Sequence, residues 1–273
     1  MNLVFLSSEA IHQFYLINEV HKHHPVKKVF FQTAHMRRSS FGEKLVKLTK
    51  PRLVRLFVRS ILASVLFRKE AELQRQYETK VFFNNATPSL DPSIPFEMVT
   101  SFNTPEGVEK VRQEAPDLIV VFGTDILKGE ILRVAKLNIL NIHRDILPKY
   151  RGGGLPFWVF YNNDFDNLGT TVHVCAEKLD AGDIIGQRYY KLQRDDEIYK
   201  LRHKTTLLAV EILKEVIDKY KNGTVEFREQ EKTKLWTSRD MTIVKELIAR
   251  RNFRRYINSL MKRCGGLQES VAP

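Results

Sequence analysis

An amide and an imidazole stand two positions apart in the sequence, at Asn141 and His143. They close an apolar stretch from Leu137 that we expect to form a strand, and side chains at i and i+2 of a strand point the same way. In open α/β sheets, ligands bind at the carboxyl ends of the strands. We therefore expect this pair to project together into a ligand site.

Two nearby segments carry further groups. Residues 146–154 read Ile-Leu-Pro-Lys-Tyr-Arg-Gly-Gly-Gly, and the three glycines would let the backbone approach a ligand closely. Residues 179–185 read Leu-Asp-Ala-Gly-Asp-Ile-Ile, which places the carboxylate of Asp180 in a turn just before an apolar run.

An amide, a neutral imidazole and a carboxylate suit acyl transfer to an amine. The amide can donate a hydrogen bond to a carbonyl oxygen that gains negative charge. The imidazole can polarise the same oxygen and exchange protons near neutral pH, while the carboxylate fixes the state of the imidazole. The amine can attack directly and must do so uncharged, so we expect activity to rise with pH until the acceptor is deprotonated. Taken singly, each residue has an ordinary structural explanation; the combination indicates catalysis.

Alternating strand and helix patterns would position these groups. The apolar run Leu118–Phe122 predicts a strand buried on both faces, which is typical of a parallel sheet under helices. Further strands are predicted at 3–6, 29–31, 81–83, 96–99, 137–143 and 169–175. Helices are predicted at about 11–20, after the capping pair Thr104-Pro105, and at 204–220 before Asn222-Gly223. This order favours an open, mostly parallel α/β sheet.

The composition of the 273 residues excludes several classes of protein. Hydrophobic residues make up 43% and charged residues 28%, which excludes a disordered or collagen-like chain. No apolar run approaches the roughly 18 residues of a membrane span, and the first residues do not read as a signal peptide. The two cysteines, Cys175 and Cys264, are far apart in the sequence, which fits a reducing compartment. We expect a cytoplasmic protein.

A formal net charge of +12 favours an anionic partner, and much of the basic charge is concentrated in one segment. Residues 37–75 carry eleven Lys or Arg against three Glu, with apolar residues at helical spacing at 54, 58, 61, 62 and 65. We predict a basic amphipathic helical insertion at about 37–78. It could cover the sheet or a second subunit in a homodimer, or contact the inner face of the membrane peripherally; nucleic acid is disfavoured because no recognised motif is present.

The predicted catalytic domain spans residues 1–222. Residues 223–273 are predicted to form a small C-terminal appendage. It would consist of a hairpin from 225–227 and 234–236, followed by a basic helix from Lys245.

Four short motifs carry a family resemblance. Asn141-Ile-His-Arg-Asp-Ile-Leu-Pro-Lys-Tyr-Arg-Gly, Gly169-Thr-Thr-Val-His-Val and Leu179-Asp-Ala-Gly-Asp-Ile-Ile contain Asn-x-His, Leu-Pro-x-Tyr-Arg-Gly, Gly-x-Thr-x-His and Leu-Asp-x-Gly-Asp-Ile. Together they resemble the 10-formyltetrahydrofolate-dependent formyltransferases, which include methionyl-tRNA, phosphoribosylglycinamide and nucleotide-sugar N-formyltransferases. The resemblance is strong over about residues 116–190 and implies a Rossmann-like sheet with the folate at the carboxyl ends of the strands.

The resemblance also implies roles for individual residues. Asn141, His143 and Asp180 match the family's catalytic triad, in which the amide and imidazole hold the formyl oxygen and the acid organises proton transfers. The loop that receives the pterin, largely through backbone groups, is matched by Val121, Phe122, Gly123, Thr124 and Ile126. The loop that borders the acceptor is matched by Tyr150, Arg151 and Gly152. The donor implied is 10-formyltetrahydrofolate, and no metal is implied.

The chain departs from the family pattern after the histidine. The family usually has a small residue and a serine there, whereas this chain has Arg144 and Asp145, an expected ion pair beside the site that can alter acceptor choice.

The expected acceptor is a small amine, specifically a nucleotide-linked amino sugar. No obvious counterpart of a tRNA-binding barrel follows Gly223, and the Lys and Arg content suits a diphosphate. Other possibilities stay open: hydrolysis of the formyl-folate by water, or transfer to glycinamide ribonucleotide or aminoacyl-tRNA. A non-enzymatic alternative is a folate-binding or membrane-associated scaffold.

Overall fold

The computed structural model describes residues 1–33, 62, 65–153, 156–237 and 240–265. Its strands are β1 (Leu3–Ser7), β2 (Val26–Gln32), β3 (Phe96–Val99), β4 (Leu118–Phe122), β5 (Asn138–His143), β6 (Arg151–Gly152), β7 (Gly169–Val174), β8 (Ile184–Tyr189) and β9 (Leu235–Trp236). Its α-helices are α1 (Ile11–His21), α2 (Arg68–Phe83), α3 (Pro105–Gln113), α4 (Phe157–Tyr161), α5 (Leu201–Asn222) and α6 (Ile243–Gly265).

Seven strands form one sheet in the order β3-β2-β1-β4-β5-β7-β8. The strands from β3 to β5 in that order pair in parallel, and β7 is antiparallel to both β5 and β8. The strand order changes direction between β1 and β4, and such a switch opens a crevice at the carboxyl ends of the strands. The predicted α/β class with a mostly parallel, Rossmann-like sheet is confirmed.

The core lies on both faces of this sheet because β4 is apolar at every position and β1 is apolar at all positions before Ser7. Leu3 and Phe5 of β1 pack on one face, in a cluster with buried residues of α1 and α5. Val4 and Leu6 pack on the other face with buried residues of α3. This alternation follows from the two-residue period of a strand. The strands predicted at 3–6 and 118–122 are therefore confirmed, and the predicted burial of 118–122 on both faces is confirmed as well.

The helix ends follow the capping signals in the sequence. The Thr104 hydroxyl accepts a hydrogen bond from the Gly107 amide at 3.2 Å, so it caps α3, whose first residue is Pro105. Helix α5 ends at Gly223, whose φ of +69° lies in the left-handed region that glycine adopts without strain.

The strand predicted at 81–83 is wrong, because these residues form the last turn of α2. The apolar triplet Val81-Phe82-Phe83 has high strand propensity, but tertiary contacts override it. The Phe82 ring stacks on Tyr15 of α1 at a centroid distance of 4.1 Å.

Most of the predicted basic insertion lies outside the described residues, including the positions at 54, 58 and 61. Its C-terminal part is helical as predicted, in α2. Leu62 and Val65 are exposed.

The predicted hairpin after α5 is also wrong. Residues 225–227 form no strand, and Arg228 makes a single bridge to Ile184. Strand β9 instead pairs in parallel with β6, joining Leu235 to Arg151 and Trp236 to Gly152. The basic C-terminal helix is confirmed as α6. It packs against α4 in a third cluster that includes Tyr150 and Trp158, whereas the boundary at residue 222 stays a prediction.

A buried ion pair joins α2 to α5. Both carboxylate oxygens of Glu78 accept hydrogen bonds from Arg202, each at 2.5 Å; the Glu78 side chain is fully buried and that of Arg202 is 27% exposed. Removing one partner of a buried pair leaves an uncompensated charge.

We predict that Glu78→Gln lowers the free energy of unfolding by about 2–3 kcal/mol. This is below the range for a fully buried pair, since Arg202 keeps some contact with water. Urea denaturation of the variant measures the loss. Glu72→Gln, an exposed acid on the same helix that pairs with Arg75, is the matched control and should lose less than about 1 kcal/mol. Equal losses in the two variants would contradict a structural role for the buried pair.

Candidate active site

Strand β5 brings Asn141 and His143 to the crevice at the carboxyl ends of the parallel strands. His143 is its last residue, and Asn141 lies directly opposite His173 in the antiparallel pairing with β7. Residues directly opposite in such a pair have close Cβ atoms. The register therefore brings a second imidazole to the predicted pair, and the Asn141 amide lies 3.1 Å from Nε2 of His173.

The turn before β8 delivers the carboxylate. Asp180 has a φ of +48°, in the left-handed region that aspartate tolerates better than most residues. Gly182 holds this turn against β7, because a Cβ on it would stand 2.1 Å from the backbone oxygen of Val174. The Asp180 side chain is thereby placed between β5, β7 and the loop that carries Gly152, whose amide donates to Oδ2 of Asp180 at 2.9 Å.

The other two residues of the predicted triad, Asn141 and His143, lie close to this carboxylate. Oδ2 of Asp180 lies 3.6 Å from Nδ1 of His143, and Oδ1 lies 3.5 Å from the amide nitrogen of Asn141. His173 Nε2 is 3.6 Å from Oδ1. All of these side chains except that of Asn141 are buried.

Hydrogen bonds to backbone carbonyls fix the tautomers of both histidines. Nε2 of His143 lies 2.7 Å from the carbonyl oxygen of Tyr150, and Nδ1 of His173 lies 2.8 Å from that of Val174. A carbonyl oxygen only accepts, so these two nitrogens carry the hydrogens. In their neutral forms, Nδ1 of His143 and Nε2 of His173 therefore present lone pairs at the site.

Burial and neighbouring groups shift the pKa values of His143 and Asp180. Burial lowers the pKa of His143, although the Asp180 carboxylate opposes this effect, so the ring is neutral near neutral pH. Burial alone would raise the pKa of Asp180. The neighbouring His173 and His143 rings and the Gly152 amide outweigh it, and the Asp180 pKa lies below its ordinary value. The site therefore combines a neutral imidazole with an ionised acid.

A first cavity of about 210 Å³ opens beside these groups. Asn141, His143 and Asp180 line this cavity together with residues 123–127 of the loop after β4. Of the residues predicted for the donor site, those that line this cavity are Val121, Gly123, Thr124 and Ile126.

Two side-chain amides hold the loop of the first cavity. Gln32 exchanges hydrogen bonds with Asp125 at 2.7 and 3.0 Å, and Asn103 donates to the carbonyl of Ile126 at 2.9 Å. The loop therefore keeps its shape without a ligand.

A second cavity, of about 440 Å³, lies on the other side of His143. It shares Gly123, His143 and Gly152 with the first cavity, and Phe122 lines it. His143 therefore stands where two cavities meet, as a transfer reaction between two substrates requires.

Tyr150 and Arg151, predicted at the acceptor border, make positioning contacts in the structure. Tyr150 is buried, its hydroxyl donates to Asp164 at 2.8 Å, and its carbonyl holds His143. Arg151 donates to the carbonyl of Leu179, next to Asp180, at 2.8 Å. Gly152 alone of the three lines the cavities described here.

Arg144 and Asp145 do not form the expected ion pair; no contact within 4 Å joins their charged groups, and the prediction is wrong. Strand β5 ends at His143, and the chain bends at both of these residues. The Asp145 side chain is 1% exposed, and neither of its carboxylate oxygens has a hydrogen-bonding partner among the described residues. Burial raises the pKa of Asp145 well above its ordinary value, although Arg144 opposes this effect.

Sequence reasoning missed two contributors. His173 belongs to the quoted Gly-x-Thr-x-His motif, but only the pairing register of β5 and β7 reveals that it faces Asn141. Gln13 donates to the carbonyl of Phe122 at 2.8 Å, and its side chain fills the space that a Cβ on Gly123 would occupy. No local pattern marks that contact.

Among the described residues, no helix is long and apolar enough to cross a bilayer. No group of three or more His, Cys, Asp or Glu side chains in this part of the protein is placed to hold a metal ion.

Comparison with known proteins places this geometry in context. The sequence profile of the family described as "Formyl transferase" matches residues 68–217. The methionyl-tRNA formyltransferase of Thermotoga maritima is 32% identical over 139 residues, which are 50% of this chain and 44% of that protein. The chain thus matches less than half the length of that relative.

Solved structures show the same fold at lower identity. A sugar N-formyltransferase from a Shewanella species has a TM-score of 0.57 at 13% identity, covering 91% of this chain and 86% of that one. An N-formyltransferase from Helicobacter canadensis, solved with folinic acid and dTDP-3-aminofucose, has a TM-score of 0.55 at 17% identity, covering 91% and 78%.

We predict that Asp145→Asn makes the protein more stable than the wild type at pH 8, and that the difference shrinks as the pH falls. A carboxyl whose pKa is raised by folding binds its proton more tightly in the native state, so native stability falls as pH rises above the ordinary Asp pKa. Each pKa unit corresponds to about 1.4 kcal/mol. Chemical denaturation between pH 5 and pH 8 measures the effect, with the exposed Asp166→Asn as the control. A difference that does not change with pH would show that Asp145 is ionised in the fold.

Proposed function

The chain belongs to the formyl transferase family, and on that premise we propose that it transfers a formyl group from 10-formyltetrahydrofolate to a primary amine carried by a nucleotide-linked sugar. One observation supports the transfer chemistry above the others. Asn141 and His143 lie within 3.6 Å of the Asp180 carboxylate, at the junction of two cavities.

The first cavity fits the pterin of the donor. Its loop offers backbone groups of residues 123–127 and the apolar side chains of Ile126 and Leu127, which suits a flat heterocycle with polar edges. When bound there, 10-formyltetrahydrofolate supplies the formyl carbon and its oxygen. The Helicobacter protein of the same fold was solved with folinic acid, which supports a folate donor for this chain.

His143 acts as the proton acceptor in this proposal. Its Nε2 hydrogen is engaged by Tyr150, so the atom available to an incoming amine is the Nδ1 lone pair. Proton uptake there converts a neutral ring beside a carboxylate into an imidazolium 3.6 Å from Asp180. The attraction between the two charges in a buried site stabilises that protonated form.

Asn141 supplies the hydrogen bond that stabilises negative charge on the formyl oxygen. One of its amide hydrogens is directed to the His173 lone pair at 3.1 Å, which fixes the orientation of the amide. The other faces Asp180 at 3.5 Å, the outer limit of a hydrogen bond, and can be given to a ligand oxygen. His173 is therefore a positioning residue for Asn141.

The sugar assignment is supported by how completely each relative is matched. The sugar N-formyltransferase from Shewanella and this chain cover most of one another, whereas the Thermotoga methionyl-tRNA formyltransferase is matched over half of this chain. The Helicobacter structure contains a nucleotide-linked amino sugar, dTDP-3-aminofucose.

Aminoacyl-tRNA is the second candidate acceptor, favoured by the sequence relative and the net charge of +12. It predicts binding that weakens steeply with salt, since many phosphates would be neutralised. A small nucleotide sugar predicts a much weaker dependence on salt.

We predict that incubation with 10-formyltetrahydrofolate and a panel of nucleotide-linked amino sugars converts one of them to a product heavier by one carbonyl. Mass spectrometry detects the product, with initiator methionyl-tRNA and glycinamide ribonucleotide as parallel substrates. A reaction without the sugars measures formate release. Formate without any formylated amine would mean hydrolysis, and formylation of tRNA alone would reject the sugar assignment.

We predict that His143→Ala and Asp180→Asn each lower kcat by at least roughly 100-fold, because each removes part of the proton acceptor or its counter-charge. The matched controls are His23→Ala, an exposed histidine, and Asp183→Asn, from the same turn as Asp180; both should retain wild-type rates. Steady-state kinetics on the identified acceptor measures the change. Full activity in either site variant would remove that residue from the mechanism.

A further inference from the structure

A third cavity lies beside the active site, between α2, the start of α5 and the segment 190–199; we call it the lateral cavity. Its volume is about 200 Å³, and its lining includes Gln74, Arg144, Tyr190 and Arg202. It shares Arg144 and Phe157 with the second cavity, so the two adjoin at the residue that directly follows His143. A ligand in the second cavity therefore has a neighbouring space within reach.

Two polar groups of the lateral cavity have no partner in the described part of the protein. The Tyr190 hydroxyl oxygen is buried without a hydrogen bond. The Arg144 guanidinium makes no hydrogen bond or ion pair, in contrast to Arg202, which is held by Glu78. Buried polar groups are nearly always hydrogen-bonded, so the unpartnered Tyr190 hydroxyl points to an absent acceptor, and the half-buried Arg144 guanidinium in the same lining is free to bind an anion.

The charges around the cavity leave Arg144 without compensation. Glu70 pairs with Arg250 at 2.5 Å, and Asp196 pairs with Lys204 at 2.6 Å. Asp145 is buried and makes no hydrogen bond or ion pair with Arg144, and burial raises its pKa well above the ordinary value. Burial and the charge of Arg202 lower the pKa of Arg144 to about 10, which still leaves it cationic at neutral pH.

We propose that the lateral cavity binds a phosphoryl group, held by the Arg144 guanidinium and the Tyr190 hydroxyl, and that the amine acceptor carries this group. A guanidinium presents a planar fork of donors that matches phosphate oxygens, and Arg144 is the guanidinium of this cavity that no carboxylate of the described residues holds. The link to the acceptor rests on the proposed function, whereas the anion site itself does not.

Binding of inorganic pyrophosphate by isothermal titration calorimetry tests the site without any formyl donor. Arg144→Gln should weaken binding about tenfold or more, since a charge-assisted contact is lost. Tyr190→Phe removes only the hydroxyl, and it should weaken binding severalfold without disturbing the residue next to His143. Arg255→Gln, an exposed arginine on α6, is the control and should bind as the wild type does. No binding by the wild type, or equal binding by all four proteins, would overturn the site.

Kinetics identifies the source of the phosphoryl group. If the acceptor carries it, Arg144→Gln and Tyr190→Phe raise KM for the acceptor, and pyrophosphate competes with the acceptor. If pyrophosphate binding is lost in the variants while KM is unchanged, the site serves a separate anion and the assignment to the acceptor is overturned. Failure of the proposed function looks different: no amine is formylated, while pyrophosphate binding and its dependence on Arg144 remain.

Discussion

The structure depends on keeping one carboxylate ionised away from water. The Asp180 side chain is buried, and a buried charge is tolerated only where donors surround it. The donors come from two separate parts of the chain: the amide of Asn141 on β5 and the Gly152 backbone on the glycine-rich loop. Three features bring these donors to the Asp180 oxygens. They are the register of β5 and β7, the left-handed turn at Asp180 and the packing of Gly182 on β7. The geometry of the candidate site thus follows from the need to stabilise the buried charge of Asp180.

The three consecutive residues at the end of β5 lie in different surroundings. His143 turns towards the junction of the first and second cavities, where burial keeps its ring neutral. Arg144 also reaches the lateral cavity, and Asp145 is enclosed in the interior. Strand β5 ends at His143 and the chain bends at residues 144 and 145, so three consecutive residues reach three surroundings. In the two proposals made above, this one strand end would connect proton transfer with anion recognition.

The sequence alone predicted the structure correctly wherever the spacing of nearby residues and their local chemistry determine it. The two-residue spacing of Asn141 and His143, the doubly buried run Leu118–Phe122 and the cap at Thr104 each correspond to an observed feature. It was insufficient where distant segments decide. The triplet 81–83 joined a helix through contact with Tyr15, and β9 paired with β6 instead of its neighbour in sequence. The role of His173 depends on strand register, and the surroundings of Arg144 and Asp145 depend on packing between segments that are far apart in the sequence.

Because β9 pairs with β6, the loop that carries Gly152 acquires its strand partner only after residues 235–236 have been synthesised. Gly152, whose amide holds Asp180, leaves the ribosome long before Trp236, the residue whose backbone closes over it. The large sheet is complete once β8 has been made, because β9 is not part of it. A nascent chain can therefore complete its large sheet before β9 fastens the loop that carries Gly152.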